Sequence, residues 1–159
     1  MSKSTQATLA LDKAGIAYRT RSYDYHSGNE PIGLQAAAAI GEPPHRVLKT
    51  LMVEVDGKPA CCVIPSDREL SMKKVAAAFK GKTAAMMPPQ KAERLTGYHV
   101  GGISPFGQKR AVPTAIEESA MDEASVIINA GQRGLMLELA PKDALAGLKA
   151  TAASLAAER

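Results

Sequence analysis

Residues 97–110, read as Gly-Tyr-His-Val-Gly-Gly-Ile-Ser-Pro-Phe-Gly-Gln-Lys-Arg, place four glycines and a proline around one serine and end on a basic pair. Without a Cβ, Gly101 and Gly102 let main-chain N–H groups approach a ligand, while Pro105 holds Ser104 extended. Amides presented in this way can stabilise an oxyanion. A tight connection between two elements is the competing reading, and the residues alone leave both open. Ser104 does not read as a hydrolase nucleophile: Gly102-Ile103-Ser104-Pro105-Phe106 departs from the nucleophile elbow at its last position, and Pro105 lacks the N–H that would complete the oxyanion hole. His99 sits in the same short segment with no identifiable acid to orient it. The serine is therefore expected to serve as a hydrogen-bonding group.

Lys49 is the second chemical candidate. Strand alternation from Val47 to Val55 puts it on one face with Val47, Leu51, Val53 and Val55, where a charge needs a reason. Either its ammonium snorkels past the core edge, or it lines a pocket beside the glycine loop and meets a phosphate or a polarised ester oxygen. Metal chemistry has no signature: Cys61 and Cys62 are adjacent in a strand pattern that points them to opposite faces, and His26, His45 and His99 show no ligand spacing. No metal and no cofactor are expected.

The net charge of +4 is unevenly spread, with nine basic against three acidic residues between positions 66 and 110, a local charge of +6. That is the footprint of a phosphate-backbone partner, or equally of a solvated lysine-rich face. Four Tyr, two Phe and no Trp argue against base stacking as the main recognition mode. The apolar runs are far shorter than the ~20 residues that cross a bilayer, and the first residues do not form a signal core. A soluble, cytoplasmic protein with no membrane contact is expected.

These residues need elements to hold them. The pattern predicts a helix over 4–14 stopped by Gly15, a strand over 16–23, and a short alanine helix ending near Gly41. A hairpin follows over 47–55 and 58–64 around Asp56-Gly57. Ser71 is expected to cap a helix through Phe79, and Pro88-Pro89 to start another that ends at Gly97. Short strands are predicted over 111–116, 125–128 and 135–139, the last two joined by residues 129–134. Pro141 opens a last helix expected to face the core with Leu145, Leu148, Ala152 and Leu155. At 159 residues this is one mixed α/β (α+β) domain, residues 1–159.

The stretch Gly101-Gly102-Ile103-Ser104-Pro105-Phe106-Gly107-Gln108-Lys109 resembles the signature of the YbaK family, aminoacyl-tRNA deacylases related to the editing domain of bacterial prolyl-tRNA synthetases. Val47 to Val53 is similar to that family's lysine-bearing strand, Leu70 to Ala76 to its basic helix, and Gly131 to Leu135 to its late hairpin. The blocks keep the family's order across nearly the whole chain. The resemblance implies a barrel-like mixed sheet of about six strands flanked by helices, and hydrolysis of Cys-tRNA(Pro) in which the substrate's own thiol attacks while Lys49 and the amides of Gly101 and Gly102 supply charge and geometry. It matches Tyr23, Lys49, Thr50 and Gly101 to the family's substrate-contacting positions; Ile103, Ser104 and Asn129 are also expected against the substrate, and the local charge of +6 leads to the expectation that Lys73, Lys74, Lys109 and Arg110 contact tRNA. It also implies a weak ternary complex with prolyl-tRNA synthetase. Three positions depart from the family pattern: Ile32 replaces an aromatic, Asn129 a serine and Met136 an aspartate. An Ala-tRNA(Pro) deacylase and a non-catalytic tRNA- or synthetase-binding module are the alternatives.

Overall fold

The computed structural model describes residues 4–24 and 32–158, with the side chains of Ile32 and Gly33 outside that description. The departure at Ile32 concerns a side chain and therefore lies outside that description. Thr5 caps helix α1 (Gln6–Ala14) through a reciprocal bond with Thr8, and Gly15 ends it in the left-handed region with φ 72°. Strand β1 (Arg19–Ser22) and helix α2 (Ile32–Ile40) follow. The hairpin of β2 (Val47–Val55) and β3 (Lys58–Pro65) turns at Asp56 and Gly57, both at positive φ, which matches the right-handed twist of its strands. Ser71 caps α3 (Met72–Ala78), β4 (Ala84–Met86) pairs with β2, and the proline pair opens α4 (Pro89–Thr96), ended by Gly97 at φ 83°. Strands β5 (Thr114–Glu117), β6 (Val126–Gln132) and β7 (Leu135–Leu139), helix α5 (Pro141–Leu148) and strand β8 (Thr151–Ala153) complete the described order.

All eight strands belong to one mixed sheet, ordered β1-β7-β6-β2-β3-β5-β8 with β4 also on β2, rather than the six expected. Two strands escaped the sequence. In β4 the alanines have little strand preference of their own and pair because an edge of β2 is there to receive them. In β8, Lys149 takes φ 52° and ends α5, so Ala152 lies on a strand beside Ile116 and Leu155 reaches the core from extended chain. Tertiary pairing here overrides the helix preference of an alanine-rich tail.

One face of the sheet buries Leu48, Met52, Cys61, Val63, Ile128 and Leu137 against α1, α4 and α5. The other carries Val53, Val55, Cys62 and Ile64 with Val75 of α3, and a smaller cluster joins Val47, Ile127 and Met136 to Ala36 and Ala37 of α2. No helix among the described residues is long and apolar enough to cross a membrane.

Candidate functional site at a break in strand β2

Strand β2 is covered by β3 along its whole length, but its other edge is shared: β6 pairs in parallel at Val47 and Leu48, and β4 pairs antiparallel from Val53 to Val55. Between them the ladder is interrupted, and a cavity of about 310 Å³ opens there. Lys49, Thr50, Gly101, Ile103 and Asn129 all line it, joined by Met136. The two faces of β2 both reach it, so Lys49 and Thr50 contribute despite pointing to opposite sides.

Lys49 is partly buried, and among the described residues its ammonium has neither an ion pair nor a hydrogen bond. Thr50 Oγ1 is buried with no hydrogen-bond partner among the described residues. The remaining walls are apolar and include Met52, Met86 and Met87 together with Pro89 and Ala92 of α4. No histidine, carboxylate or thiol among the described residues lines the cavity.

The glycine loop is held from several directions. Gly101 sits at φ 91°, a conformation that excludes most side chains, and its carbonyl accepts from Asn129 Nδ2 at 3.2 Å. Val100 N–H donates to Glu93 Oε2 at 2.8 Å, and Arg133 Nη2 donates to Val100 O at 2.8 Å. Tyr98 OH, pushed up to about 12 by burial, donates to Phe106 O at 2.5 Å. With these groups engaged, the N–H groups of Gly101 and Ile103, both cavity-lining residues, have no hydrogen-bond partner among the described residues.

Three expected site residues stand elsewhere. Gly102 N–H donates to His99 O at 2.8 Å, and a Cβ on Gly102 would lie 3.1 Å from Gln132 Cα. It is a close-packing glycine behind the cavity, and its amide is spent. Ser104 is fully buried, its Oγ accepting from Phe106 N–H at 3.2 Å and its carbonyl from Gln108 Nε2 at 3.0 Å. Its role is to fold the loop. Tyr23 lies behind the wall, packed in the cluster that holds Ala36 and Met136, which themselves line the cavity. Asn129 lines the cavity with both ends of its amide engaged, Oδ1 accepting from Gly131 N–H at 2.7 Å, so it joins β6 to the loop.

The basic residues also divide. Lys74 Nζ donates to Ala156 O at 2.8 Å and pairs with Glu158 at 3.0 Å, which ties it to the end of the chain. Lys73 is exposed on α3, on the far side of the sheet from α4. Lys109 and Arg110 are fastened along the last turn of α4 by Lys109 N–H to Thr96 O at 2.8 Å and Arg110 N–H to Leu95 O at 3.2 Å. They form a groove with Lys91 and Arg94, and Lys91 is paired with Glu54. Helix α4 thus has the cavity on one side and this basic groove on the other.

The methionine and α4 walls were missed from sequence. Met86-Met87-Pro88-Pro89 was legible as a helix start, but only the β4 pairing turns its methionines to the break.

The fold thus opens a largely apolar cavity at a strand break, lined by a lysine whose ammonium is unpaired among the described residues. The chain belongs to the aminoacyl-tRNA editing domain family, whose sequence profile matches residues 34–146. It is 34% identical over 141 residues to EbsC of Enterococcus faecalis, which carries a provisional name as a Cys-tRNA(Pro)/Cys-tRNA(Cys) deacylase; the match covers 87% of this chain and 84% of that protein. It is also 28% identical over 91 residues to a proline–tRNA ligase of Acidithiobacillus ferrooxidans, covering 57% of this chain and 16% of the ligase. The crystal structure of a protein provisionally described as a trans-editing enzyme for prolyl tRNA synthetase shares the fold, with a TM-score of 0.86 at 21% identity over 99% of this chain and 100% of that one.

Proposed function

We propose that this chain is an aminoacyl-tRNA deacylase that clears Cys-tRNA(Pro). The observation that carries the reading is a cavity that has, among the described residues, an unpaired ammonium at Lys49 and a free amide at Gly101 N–H but no protein nucleophile with a base beside it. Thr50 Oγ1 is the cavity's hydroxyl, and no histidine or carboxylate among the described lining residues is placed to activate it. The nucleophile must then come from water or from the substrate. A cysteinyl ester brings its own: the sulfur forms a bond to the ester carbonyl carbon, the carbon–oxygen bond to the ribose breaks, and the thiol proton passes to the leaving oxygen. Water then opens the thiolactone to free cysteine. Proximity in such an intramolecular attack is worth about 7 to 11 kcal/mol, and the protein need only hold the geometry and stabilise the oxyanion.

In this reading Lys49 and Gly101 N–H face the developing charge, and Asn129 and Tyr23 position the walls. The groove of Lys91, Arg94, Lys109 and Arg110 takes phosphates of the tRNA end, one helix width from the cavity. Lys73 and Lys74 are less suited, since Lys74 is committed to Glu158 and Ala156. The likeness to a proline–tRNA ligase supports a weak ternary complex with synthetase and tRNA.

Release from Cys-tRNA(Pro) and Ala-tRNA(Pro), measured side by side at saturating enzyme, tests the reading. Fast cysteine and slow alanine release is expected. Equal rates would show a route independent of a substrate thiol, and no release of either would leave a binding module.

A further inference from the structure

The break in β2 is one residue long. In the hairpin, the two-residue turn makes Val55 and Lys58 a hydrogen-bonded pair, so odd-numbered residues of β2 direct their main-chain groups to β3 and even-numbered ones direct theirs away. Two independent bonds fix the same parity: Ser66 N–H donates to Val47 O at 2.8 Å on the β3 side, and Met87 N–H donates to Met52 O at 3.1 Å on the other. On that outer edge Leu48 is paired with Ile128 of β6, Met52 is held by Met87, and Glu54 is paired with Ala85 of β4. Thr50 lies between them with no ladder partner on that side among the described residues. The β6 ladder cannot extend to it, because β6 shifts register between Asn129 and Gln132 and Gly131 N–H turns to Asn129 Oδ1.

The main-chain N–H and C=O of Thr50 therefore face the cavity that the residue lines, beside a buried hydroxyl that is itself unpartnered. Peptide groups away from water seldom stay unpaired, and a one-residue vacancy in a ladder is a template for one residue of added strand. We propose that the aminoacyl group of the substrate fills this vacancy, its α-ammonium donating to the Thr50 carbonyl and its ester carbonyl accepting from the Thr50 N–H. An α-amino ester carries its donor and acceptor on one edge, as a residue of an antiparallel partner strand does. The inference rests on the deacylase reading and deepens it. It accounts for how a cavity with no carboxylate among its described lining residues recognises an α-ammonium. It also places a second main-chain donor, with Gly101 N–H, where the carbonyl oxygen gathers charge.

The test uses wild-type protein and two esters of tRNA(Pro), one of cysteine and one of 3-mercaptopropionic acid, which keeps the thiol and lacks the α-ammonium. Each single-turnover rate is divided by the spontaneous loss of the same ester in buffer, which removes the ammonium's effect on intrinsic reactivity. The expected result is a normalised rate roughly 10- to 100-fold lower for the mercaptopropionyl ester, the range of a hydrogen bond from a charged donor. In parallel, exchange of the Thr50 amide proton is followed by NMR with the non-hydrolysable 3′-cysteinylamino-3′-deoxyadenosine at saturation, and it should slow by about tenfold or more as the amide gains a partner. Equal normalised rates for the two esters, or Thr50 exchange unaffected by bound analogue, would overturn the proposal while leaving the deacylase reading intact. A cysteinyl analogue that binds no better than its mercaptopropionyl counterpart would also overturn it. Absence of turnover on Cys-tRNA(Pro) would overturn both.

Discussion

Replacing Asn129 by alanine should cost stability and rate together, because one side chain ties two backbones. Its Nδ2 holds the Gly101 carbonyl at 3.2 Å and its Oδ1 holds the Gly131 amide at 2.7 Å, in a residue only 8% exposed. Alanine leaves both groups unpaired. The Gly101 carbonyl borders the cavity and can turn to water, whereas the Gly131 amide pays more of its desolvation, so a loss of about 2 to 3 kcal/mol is expected. For a domain of this size that lowers Tm by about 4 to 12 °C. The rate should fall by about tenfold or more, since a loop amide aimed at an oxyanion loses its anchor; this is less than the loss from deleting a donor outright. Asn129→Asp separates the two effects: it keeps the acceptor for Gly131 N–H and sets a carboxylate against the Gly101 carbonyl, so it should recover part of the stability and none of the rate. Thermal unfolding by circular dichroism and single-turnover deacylation measure the two quantities. A lowered Tm with a wild-type rate in Asn129→Ala would refute the claim that this bridge positions the loop.

Other outcomes follow from charge and burial. Burial pushes Glu138 up, but hydrogen bonds from Ser125, Arg21 and Arg19 outweigh it and hold the carboxyl at about 2, below its ordinary 4.5. A depressed carboxyl stabilises the fold above its unfolded value and loses that contribution as pH falls toward its folded value, so acid unfolding curves should steepen from about pH 4.5 to 2, and Glu138→Gln should flatten them. Cys61 and Cys62 are fully buried, with both thiols pushed up to about 12 by burial, so iodoacetamide should leave the native protein unmodified and deacylation unchanged. Modification that abolishes activity would bring a protein thiol into the reaction. Reversing Lys109 and Arg110 to Glu should weaken tRNA binding and lower the slope of log K against log salt by about 0.7 to 0.9 per lost contact. An unchanged slope would move the tRNA off α4.

Much of the scaffold could be read from the residues because local chemistry set it. Asp56-Gly57 can turn in one way, Ser71 and the proline pair start helices whatever surrounds them, and Gly15 and Gly97 end them. Lys49 stood out because a charge interrupts an apolar strand face, and the structure puts it on the cavity together with Thr50, Gly101, Ile103 and Asn129. What was hidden depends on long-range pairing. The break opposite Thr50 exists only because β4 and β6, about 30 and about 80 residues away along the chain, stop short of one another on the same edge. For the same reason adjacent glycines looked equivalent: Gly101 faces the cavity while Gly102 packs on Gln132, and nothing local distinguishes them. Lys73 and Lys74 are alike in sequence, and only the fold separates them, with Lys74 bonded to Ala156 O and Glu158 while Lys73 is exposed.

The central claim is that the cavity at the β2 break is where the ester is hydrolysed and that the unpaired ammonium of Lys49 acts there on developing charge. The most direct measurement is single-turnover deacylation of Cys-tRNA(Pro) at saturating enzyme by Lys49→Ala, alongside its thermal unfolding and a Lys49→Arg control. The side chain is partly buried and makes no ion pair among the described residues, so the fold should survive its loss. The rate should drop by about 10²-fold or more, the scale for removing an electrostatic group from a water-poor site. Arginine should restore little, since a planar guanidinium does not replace a compact ammonium at short range. A folded Lys49→Ala protein that releases cysteine at the wild-type rate would contradict the account.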